Sequence, residues 1–390
     1  MTKELKVTTQ TSSSSQKKHV AIILGGQSPE HAVSINSGCS LLNHIDRNRF
    51  NVEAIYIDIE GRWWQYPHQE SYTSDIFTIE TAQAIAQRCV IIPDETYQLV
   101  KLPSLEKIAC DVCFSIVHGS TGEDGKLQGV FEVANLPYVG TDVAGSAVGM
   151  NKVIMKDILN ANDIPTANYR IVDARSWKAD AASLIEDARS LKLPIFVKPA
   201  NTGSSVGISK VDSYDDLQSA IEVALKFDPQ VLVEEGITPA RELEVAVLGN
   251  HNPEVSCIGE INPPDGFYDY ASKYLNDTAK LSYPATVAPE VEAKMRDIAV
   301  KTYKVLGLKG LSRVDFLLDQ ATNEPYIIEV NTLPGFTNIS MYPKLWDVSG
   351  KPYSTLITEL IELALDAHKD KQQRQLDFTR ELSELQKSAH

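Results

Sequence analysis

Residues 312–319 read SRVDFLLD and residues 325–331 read PYIIEVN, and these two stretches decide the fold of the carboxy-terminal half of the chain. Both alternate between apolar and polar residues, which is typical of β-strands. The connection between them is short and rich in turn-forming residues. The sequence therefore predicts that the two strands pair as an antiparallel hairpin.

Polar side chains interrupt both of these apolar strands. Since side chains two residues apart share a face of a strand, Arg313 and Asp315 lie together on the first strand, and Glu329 and Asn331 lie together on the second. Two carboxylates and an amide oxygen can thus converge, and Mg²⁺ prefers such hard oxygen donors when it shares its ligands with phosphates. A solvated face is the commoner location for Asp and Glu, but the two neighbouring interruptions favour a metal site.

A second candidate site is the loop 198–207, KPANTGSSVG, which follows the predicted strand 195–199. Backbone N–H groups and hydroxyls in such a loop can surround phosphate oxygens, while Lys198 supplies positive charge. The spacing is not that of a Walker P-loop. A loop of this composition is more often only a turn, so by itself it is weak evidence for nucleotide binding.

Working outward, the rest of the chain is predicted to be a mixed α/β and α+β protein. Residues 19–24, HVAIIL, form a β-branched strand that leads through two glycines into a helix. Strands at 50–57 and 112–117 follow at intervals suited to βαβ crossovers. The predicted divisions are a disordered tail at 1–18, an open α/β domain at 19–150, an α+β unit at 151–236, a second α+β unit with the metal site at 237–368, and a charged tail or frayed helix at 369–390.

The composition excludes several classes of function. A formal net charge of −15 repels nucleic acid and anionic lipid, so neither is an expected partner. The longest apolar runs are far shorter than the ~20 residues that span a bilayer, and we expect no membrane insertion. Five scattered cysteines suit a reducing cytosol, and a cytoplasmic location is expected. Cys110 and Cys113 have redox or zinc-like spacing, but buried inert thiols are the better interpretation.

A family resemblance rests on the hairpin, on the loop, and on the strand 232–235 (LVEE) followed by 241–244 (RELE). Six motifs, two of which overlap the loop and the hairpin, make the resemblance narrower. Their positions are 25–34 (GGQSPEHAVS), 118–125 (HGSTGEDG), 139–141 (VGT), 203–207 (GSSVG), 267–274 (FYDYASKY) and 329–335 (EVNTLPG). With them the chain resembles ATP-grasp enzymes and, more narrowly, D-alanine:D-alanine ligases, over roughly residues 19–368. The resemblance implies the ATP-grasp architecture, with an amino-terminal α/β domain followed by two α+β subdomains.

The resemblance also implies roles for individual residues. In the family's pattern, Glu30 holds the ammonium of the first D-alanine and forms a hydrogen-bonded triad with Ser204 and Tyr274. Arg313 and the backbone N–H of Gly335 form an oxyanion hole. The resemblance implies that His118 lies beside the first substrate. It places Lys273 at the γ-phosphate and Ser340 at the carboxylate of the second D-alanine.

ATP is implied as a substrate, together with two Mg²⁺ or Mn²⁺ ions held by Asp315, Glu329 and Asn331. The implied ATP-binding residues are Lys152, Lys198, Ser205, Glu234, Glu235 and Glu242. An acylphosphate hydrolyses if water enters, so the segment 265–281, with its proline, glycine and aromatic residues, is expected to act as a lid. A homodimer that makes D-alanyl-D-alanine for peptidoglycan precursors is the expected form of the protein.

Two other interpretations remain. The second substrate could be D-serine or D-lactate. Tyr274 argues against D-lactate, since relatives that favour D-lactate often have His there. D-serine is harder to exclude, because an apolar site discriminates only weakly against one added hydroxyl. Alternatively, the chain could be a nucleotide-binding module without catalysis, although such a module would not need Arg313 and the metal ligands.

Overall fold

A computed structural model describes residues 17–94, 98–262 and 280–388 of the 390-residue chain, and within them three sheets follow one another along the sequence. The strands of the first sheet are β1 (Lys18–Gly25), β2 (Phe50–Ile57), β3 (Trp63–Tyr66), β4 (Gln87–Ile91), β5 (Leu99–Lys101) and β6 (Val112–Ser115). The helices of this part are α1 (His31–His44), α2 (Ile79–Ile85), α3 (Lys126–Val133) and α4 (Val143–Met150).

The first sheet has the order β5-β4-β3-β2-β1-β6. Strands β2, β1 and β6 are parallel, as the sequence predicts, and α1 makes the crossover from β1 to β2. The turn after β1 requires glycine at position 25, because φ is +89° there and a Cβ would lie 2.2 Å from the carbonyl oxygen of Ile57. Strands β3 to β5 extend the sheet in antiparallel pairing, which the sequence analysis did not predict.

The second sheet, of order β7-β10-β8-β9, is antiparallel. Its strands are β7 (Tyr169–Asp173), β8 (Ile195–Pro199), β9 (Ser209–Val211) and β10 (Gln230–Glu235), and the helices of this part are α5 (Lys152–Ala161), α6 (Ala174–Ala188) and α7 (Leu217–Ala224). Leu217 and Ile221 of α7 are fully buried in one apolar cluster with Val197 and Val231 of the sheet. This packing covers one face of the second sheet, and a cavity lies on its other face.

The third sheet has the order β13-β12-β11-β14-β15. Its strands are β11 (Ala240–Gly249), β12 (Glu254–Asn262), β13 (Lys280–Ser282), β14 (Gly310–Asp319) and β15 (Pro325–Asn331). The helices of this part are α8 (Pro289–Val305), which lies between β13 and β14 in the sequence, and α9 (Met341–Val348) and α10 (Tyr353–Ser388), which follow β15. The predicted hairpin is confirmed, since β14 and β15 pair in antiparallel register. Apolar clusters cover both faces, because Val314 and Phe316 pack with α8 while Leu311 packs with α9 and α10.

The charged stretch at the carboxy-terminal end, expected to be a frayed helix or a tail, is helical, because α10 continues to Ser388; Leu376 and Phe378 are exposed there. The predicted disordered tail lies almost wholly outside the described residues. Within the described ranges, no helix is both long and apolar enough to cross a membrane.

Candidate active site

A cavity of about 640 Å³ lies between the second and third sheets, within the size range of small-molecule sites. It is lined by charged side chains from β8, β10, β11, β14, β15 and α5. The residues singled out from the sequence that line it are Lys152, Lys198, Ser204, Ser205, Glu234, Glu235, Glu242, Asp315 and Glu329. The structure thus collects most of the proposed ATP and metal residues around one space.

The hairpin places an arginine among carboxylates beside this cavity. Arg313 donates from Nε and Nη2 to the two oxygens of Asp315, at 2.7 Å each, and its Nε lies 3.1 Å from Glu244 of β11. Burial alone would lower the pKa of Arg313, but Asp315 and Glu244 outweigh it and hold the pKa well above its usual value. The guanidinium is therefore a permanent, rigidly held positive charge.

The proposed metal ligands lie opposite one another on the two strands. Asp315 pairs with Glu329 in the register, and the register shifts immediately afterwards, so a bulge precedes Glu329. The amide of Asn331 donates to Asp315 Oδ2 at 2.9 Å. Among the described residues no group of three or more His, Cys, Asp or Glu could hold a metal, but two carboxylates and one amide supply the oxygen donors that Mg²⁺ or Mn²⁺ takes. The residues present fit such an ion.

Lys152, the first residue of α5, connects the two candidate sites of the sequence analysis. Its Nζ donates to the carbonyl oxygen of Thr202 at 2.8 Å and lies 3.7 Å from Glu329. The Gly/Ser loop is thereby held against the hairpin by one buried lysine. Ser204 and Ser205 of this loop have φ values of +52° and +58°, unusual for residues other than glycine.

Glu30 and Ser204 meet at the edge of this arrangement, although 174 residues separate them. The hydroxyl of Ser204 donates to the carboxylate of Glu30, which lies immediately before α1. Gly119 packs directly on this carboxylate, because φ is +76° and a Cβ there would lie 2.3 Å from Glu30 Oε2. A side chain at position 119 would displace the glutamate.

His118 and Glu123 lie behind Glu30 in the amino-terminal domain. The Nδ1 of His118 is 3.1 Å from the carbonyl oxygen of Leu333, so Nδ1 carries the proton, and Nε2 accepts from the hydroxyl of Ser37 at 2.9 Å. Burial lowers the pKa of His118, with Glu30 acting in the opposite direction. Burial and the neighbouring Glu30 raise the pKa of Glu123 to about 8, although the backbone N–H of Gly119 donates to its carboxyl at 2.7 Å.

Gly335 and Ser340 lie together in the loop before α9. A Cβ on Gly335 would be 3.3 Å from Ser340 Oγ. The Oγ of Ser340 also accepts from the backbone N–H of Thr337 at 3.1 Å, which fixes the loop. The carbonyl oxygen of Leu333, two residues before Gly335, contacts His118, so this loop begins beside the amino-terminal domain.

At the opposite end of the cavity, Glu234 of β10 is buried between two lysines. Its carboxylate accepts from Lys198 of β8 and lies 2.8 Å from Lys156 of α5. Burial alone would raise the pKa of Glu234, but the two lysines lower it to about 2. Glu235, in contrast, accepts from the amide of Asn168 and the backbone N–H of Lys192, so its carboxylate holds the surrounding loops.

Lys273 and Tyr274 lie outside the described residues, as does almost all of the proposed lid. Conversely, the structure adds three residues that the sequence analysis did not assign to the site: Glu123, Lys156 and Glu244. One signal was available for Lys156, since it follows Lys152 by one helical turn and shares its face of α5. Glu244 could be recognised only from the register that sets it beside Asp315.

Comparisons with known proteins agree on one family. The family model described as D-ala D-ala ligase N-terminus matches residues 19–141, and the one described as D-ala D-ala ligase C-terminus matches residues 158–362. A D-alanine--D-alanine ligase of Shouchella clausii (strain KSM-K16) is 45% identical over 374 residues, covering 93% of this chain and 99% of the relative.

Solved structures show the same similarity. The D-alanine-D-alanine ligase from Coxiella burnetii has a TM-score of 0.82 and 32% identity, covering 94% of this chain and 99% of that one. The VanG D-Ala:D-Ser ligase from Enterococcus faecalis has a TM-score of 0.80, also with 32% identity, covering 90% of this chain and 100% of that one.

Proposed function

The chain belongs to the D-alanine–D-alanine ligase family, and we propose that it joins two D-alanines into D-alanyl-D-alanine, a building block of peptidoglycan precursors, with ATP as the activating substrate. Its fold is the ATP-grasp fold of its structural neighbours. The observation that carries the proposal is the hydrogen bond between Glu30 and Ser204, which connects a carboxylate of the amino-terminal domain with the edge of the lysine-rich cavity.

The reaction must activate a carboxylate, because joining a carboxylate to an amine in water is uphill. We propose that the first D-alanine binds with its ammonium on Glu30, so that its carboxylate points toward the cavity. That carboxylate attacks the γ-phosphorus of ATP, which gives D-alanyl phosphate and ADP. Lys152 and Lys198, both lining the cavity, offset the charge of the two approaching anions.

Asp315, Glu329 and Asn331 would hold Mg²⁺ or Mn²⁺, which supplies electrostatic stabilisation of the phosphate oxygens when bound. Arg313 has a second task in the proposal. When the amine of the second D-alanine attacks the acyl carbon, an oxyanion develops, and a fixed guanidinium stabilises it without reorganisation. The tetrahedral species then loses a proton from nitrogen and expels phosphate, which leaves the peptide bond. The bonds to Asp315 and Glu244 keep the guanidinium in place for this step.

The remaining assignments concern the second substrate and the adenine. The backbone N–H of Gly335 would complete the oxyanion hole, and Ser340 would bind the carboxylate of the second D-alanine. Backbone groups near Glu234 and Glu235 would bind the adenine, and Glu242 the ribose. Lys273 and Tyr274 would act on the γ-phosphate and the Glu30 triad from the segment outside the described residues.

We also propose the domain divisions at residues 150 and 236, a homodimeric state and a cytoplasmic location. The two sheets that border the cavity lie on either side of residue 236, which supports the second division. Sedimentation of the purified chain would test the dimer, since a monomeric mass at all concentrations would exclude it.

The test of the function is a phosphate-release assay with ATP and D-alanine, run beside D-serine and D-lactate, with the products identified by mass spectrometry. The expected result is release of one phosphate for each D-alanyl-D-alanine formed. A mixed D-alanyl-D-serine product, formed in preference when both amino acids are present, would assign the chain to the D-serine class. Phosphate release that does not depend on any D-amino acid would refute the proposal.

A further inference from the structure

Lys156 is a fully buried lysine on the face of α5 that carries Lys152 one turn earlier. Its Nζ lies 2.8 Å from Glu234 Oε2 and 5.6 Å from the ring centre of Tyr169. An isolated ammonium in this position would be strongly disfavoured by desolvation. Burial lowers the pKa of Lys156, and the paired carboxylate of Glu234 opposes that shift and favours the charged ammonium.

Glu234 is shared, because Lys198 donates to its other carboxylate oxygen. One negative charge thus lies between two positive charges, and the buried cluster has a net charge of +1. Such an excess is unfavourable in the interior, and an anion that enters the adjacent cavity relieves it.

The two lysines differ in what they can reach. Lys198 lines the cavity, and its side chain is 11% exposed. Lys156 does not line the cavity, and its side chain is 1% exposed. Only Lys198 can therefore turn toward a ligand, while Lys156 stays with the carboxylate.

We propose that Lys156 is a positioning residue for ATP binding: it compensates Glu234 so that Lys198 can leave the carboxylate and contact the phosphates. This inference rests on the proposed function, in which Lys198 contacts ATP. Without Lys156, the turn of Lys198 toward a phosphate would leave Glu234 buried and uncompensated. Lys198 would then remain on Glu234, and ATP would bind weakly.

The experiment compares Lys156→Met with the double variant Lys156→Met/Glu234→Gln, and uses Lys178→Met, an exposed lysine on α6, as the matched control. Lys156→Met leaves a neutral Glu234–Lys198 pair in place, so the fold is expected to persist. The measurements are the KM for ATP, the KM for D-alanine, kcat at saturating ATP, and direct titration of ATP binding by calorimetry.

The single variant is expected to raise the KM and the dissociation constant of ATP by about tenfold or more, with little change in kcat or in the KM for D-alanine. The double variant is expected to recover much of the ATP affinity, because a neutral amide no longer retains Lys198. A purely structural residue would show no such recovery, since the second substitution would only add damage.

Unchanged ATP affinity in Lys156→Met would overturn the inference, and so would a double variant as weak as the single one. If Lys156→Met does not fold, the double variant alone decides, and weak ATP binding by a folded double variant would count against the inference. Failure of the proposed function is distinguishable, because the wild-type chain would then bind ATP without releasing phosphate on addition of D-alanine.

Discussion

Replacing Glu123 by Gln should make the stability of the protein less dependent on pH. Burial and then the nearby Glu30 raise the pKa of Glu123 from 4.5 to about 8. The folded state therefore binds a proton more tightly than the unfolded state, and between these two values it holds more protons. Stability must then fall as pH rises through this window, and the contribution of the neutral carboxyl is lost above about pH 8.

The magnitude follows from the interval between the two pKa values. At about 1.4 kcal/mol per pH unit, the interval from 4.5 to about 8 corresponds to a ceiling of roughly 5 kcal/mol. Glutamine imitates the neutral carboxyl, because its oxygen can still accept the hydrogen bond that the backbone N–H of Gly119 donates at 2.7 Å. We expect Glu123→Gln to match the wild type near pH 5 and to exceed it by a few kcal/mol above about pH 8.

Thermal and urea unfolding of both proteins from pH 5 to pH 9 would measure this difference. Glu186→Gln is a suitable control, because Glu186 is an exposed glutamate on α6 and should show no such trend. A difference between Glu123→Gln and wild type that stays constant with pH, or that shrinks as pH rises, would refute the reasoning.

Substitutions at four positions test the proposed chemistry. Glu329→Ala and Asn331→Ala should abolish phosphate release while lowering stability by only about 1 kcal/mol, as removing one hydrogen bond costs, and full activity at ordinary Mg²⁺ would remove the metal assignment. Ser204→Ala should lower kcat/KM for D-alanine through a misplaced Glu30, while ATP affinity measured by calorimetry stays the same; an equal loss in both would place Ser204 on the nucleotide side. Arg313→Met should lower kcat by about 100-fold or more, with partial activity in Arg313→Lys, and a near-normal kcat in the Met variant would exclude Arg313 from the oxyanion hole.

The sequence was sufficient for the hairpin because its evidence is local. Apolar and polar residues alternate along both strands, so the pattern predicts the strands, their pairing, and the faces of Asp315 and Glu329. The observed register places these two residues opposite each other, a detail that the pattern alone did not specify. Strands β3 to β5 gave no such signal, because each is only three to five residues long and extends the sheet by pairing at its edge.

Buried charge was the part of the site that local patterns could not reveal. Lys156 lies in the helical segment KVIMKDILNA, where a lysine is usually exposed and nothing local indicates that it is buried. Its burial depends on Glu234, 78 positions later in the chain, and only the packing of α5 on β10 brings them together. Glu123 is similar, because its raised pKa results first from burial and then from Glu30, which lies far from it in the sequence.

The two ends of the cavity share one electrostatic arrangement, which explains how an acidic protein of net charge −15 can accept a polyanion. Two of the lysines that line the cavity lie near a glutamate: Lys198 near Glu234 and Lys152 near Glu329. Before ATP binds, these pairs leave neither lysine as an unpaired buried charge. When ATP binds, each lysine must exchange its carboxylate partner for a phosphate. The exchange is tolerable only if a second cation stays with the carboxylate. Lys156 fulfils this condition at Glu234, and the metal proposed for Glu329 would fulfil it at the other end, so ATP affinity should depend on Mg²⁺ even in variants whose chemistry is blocked.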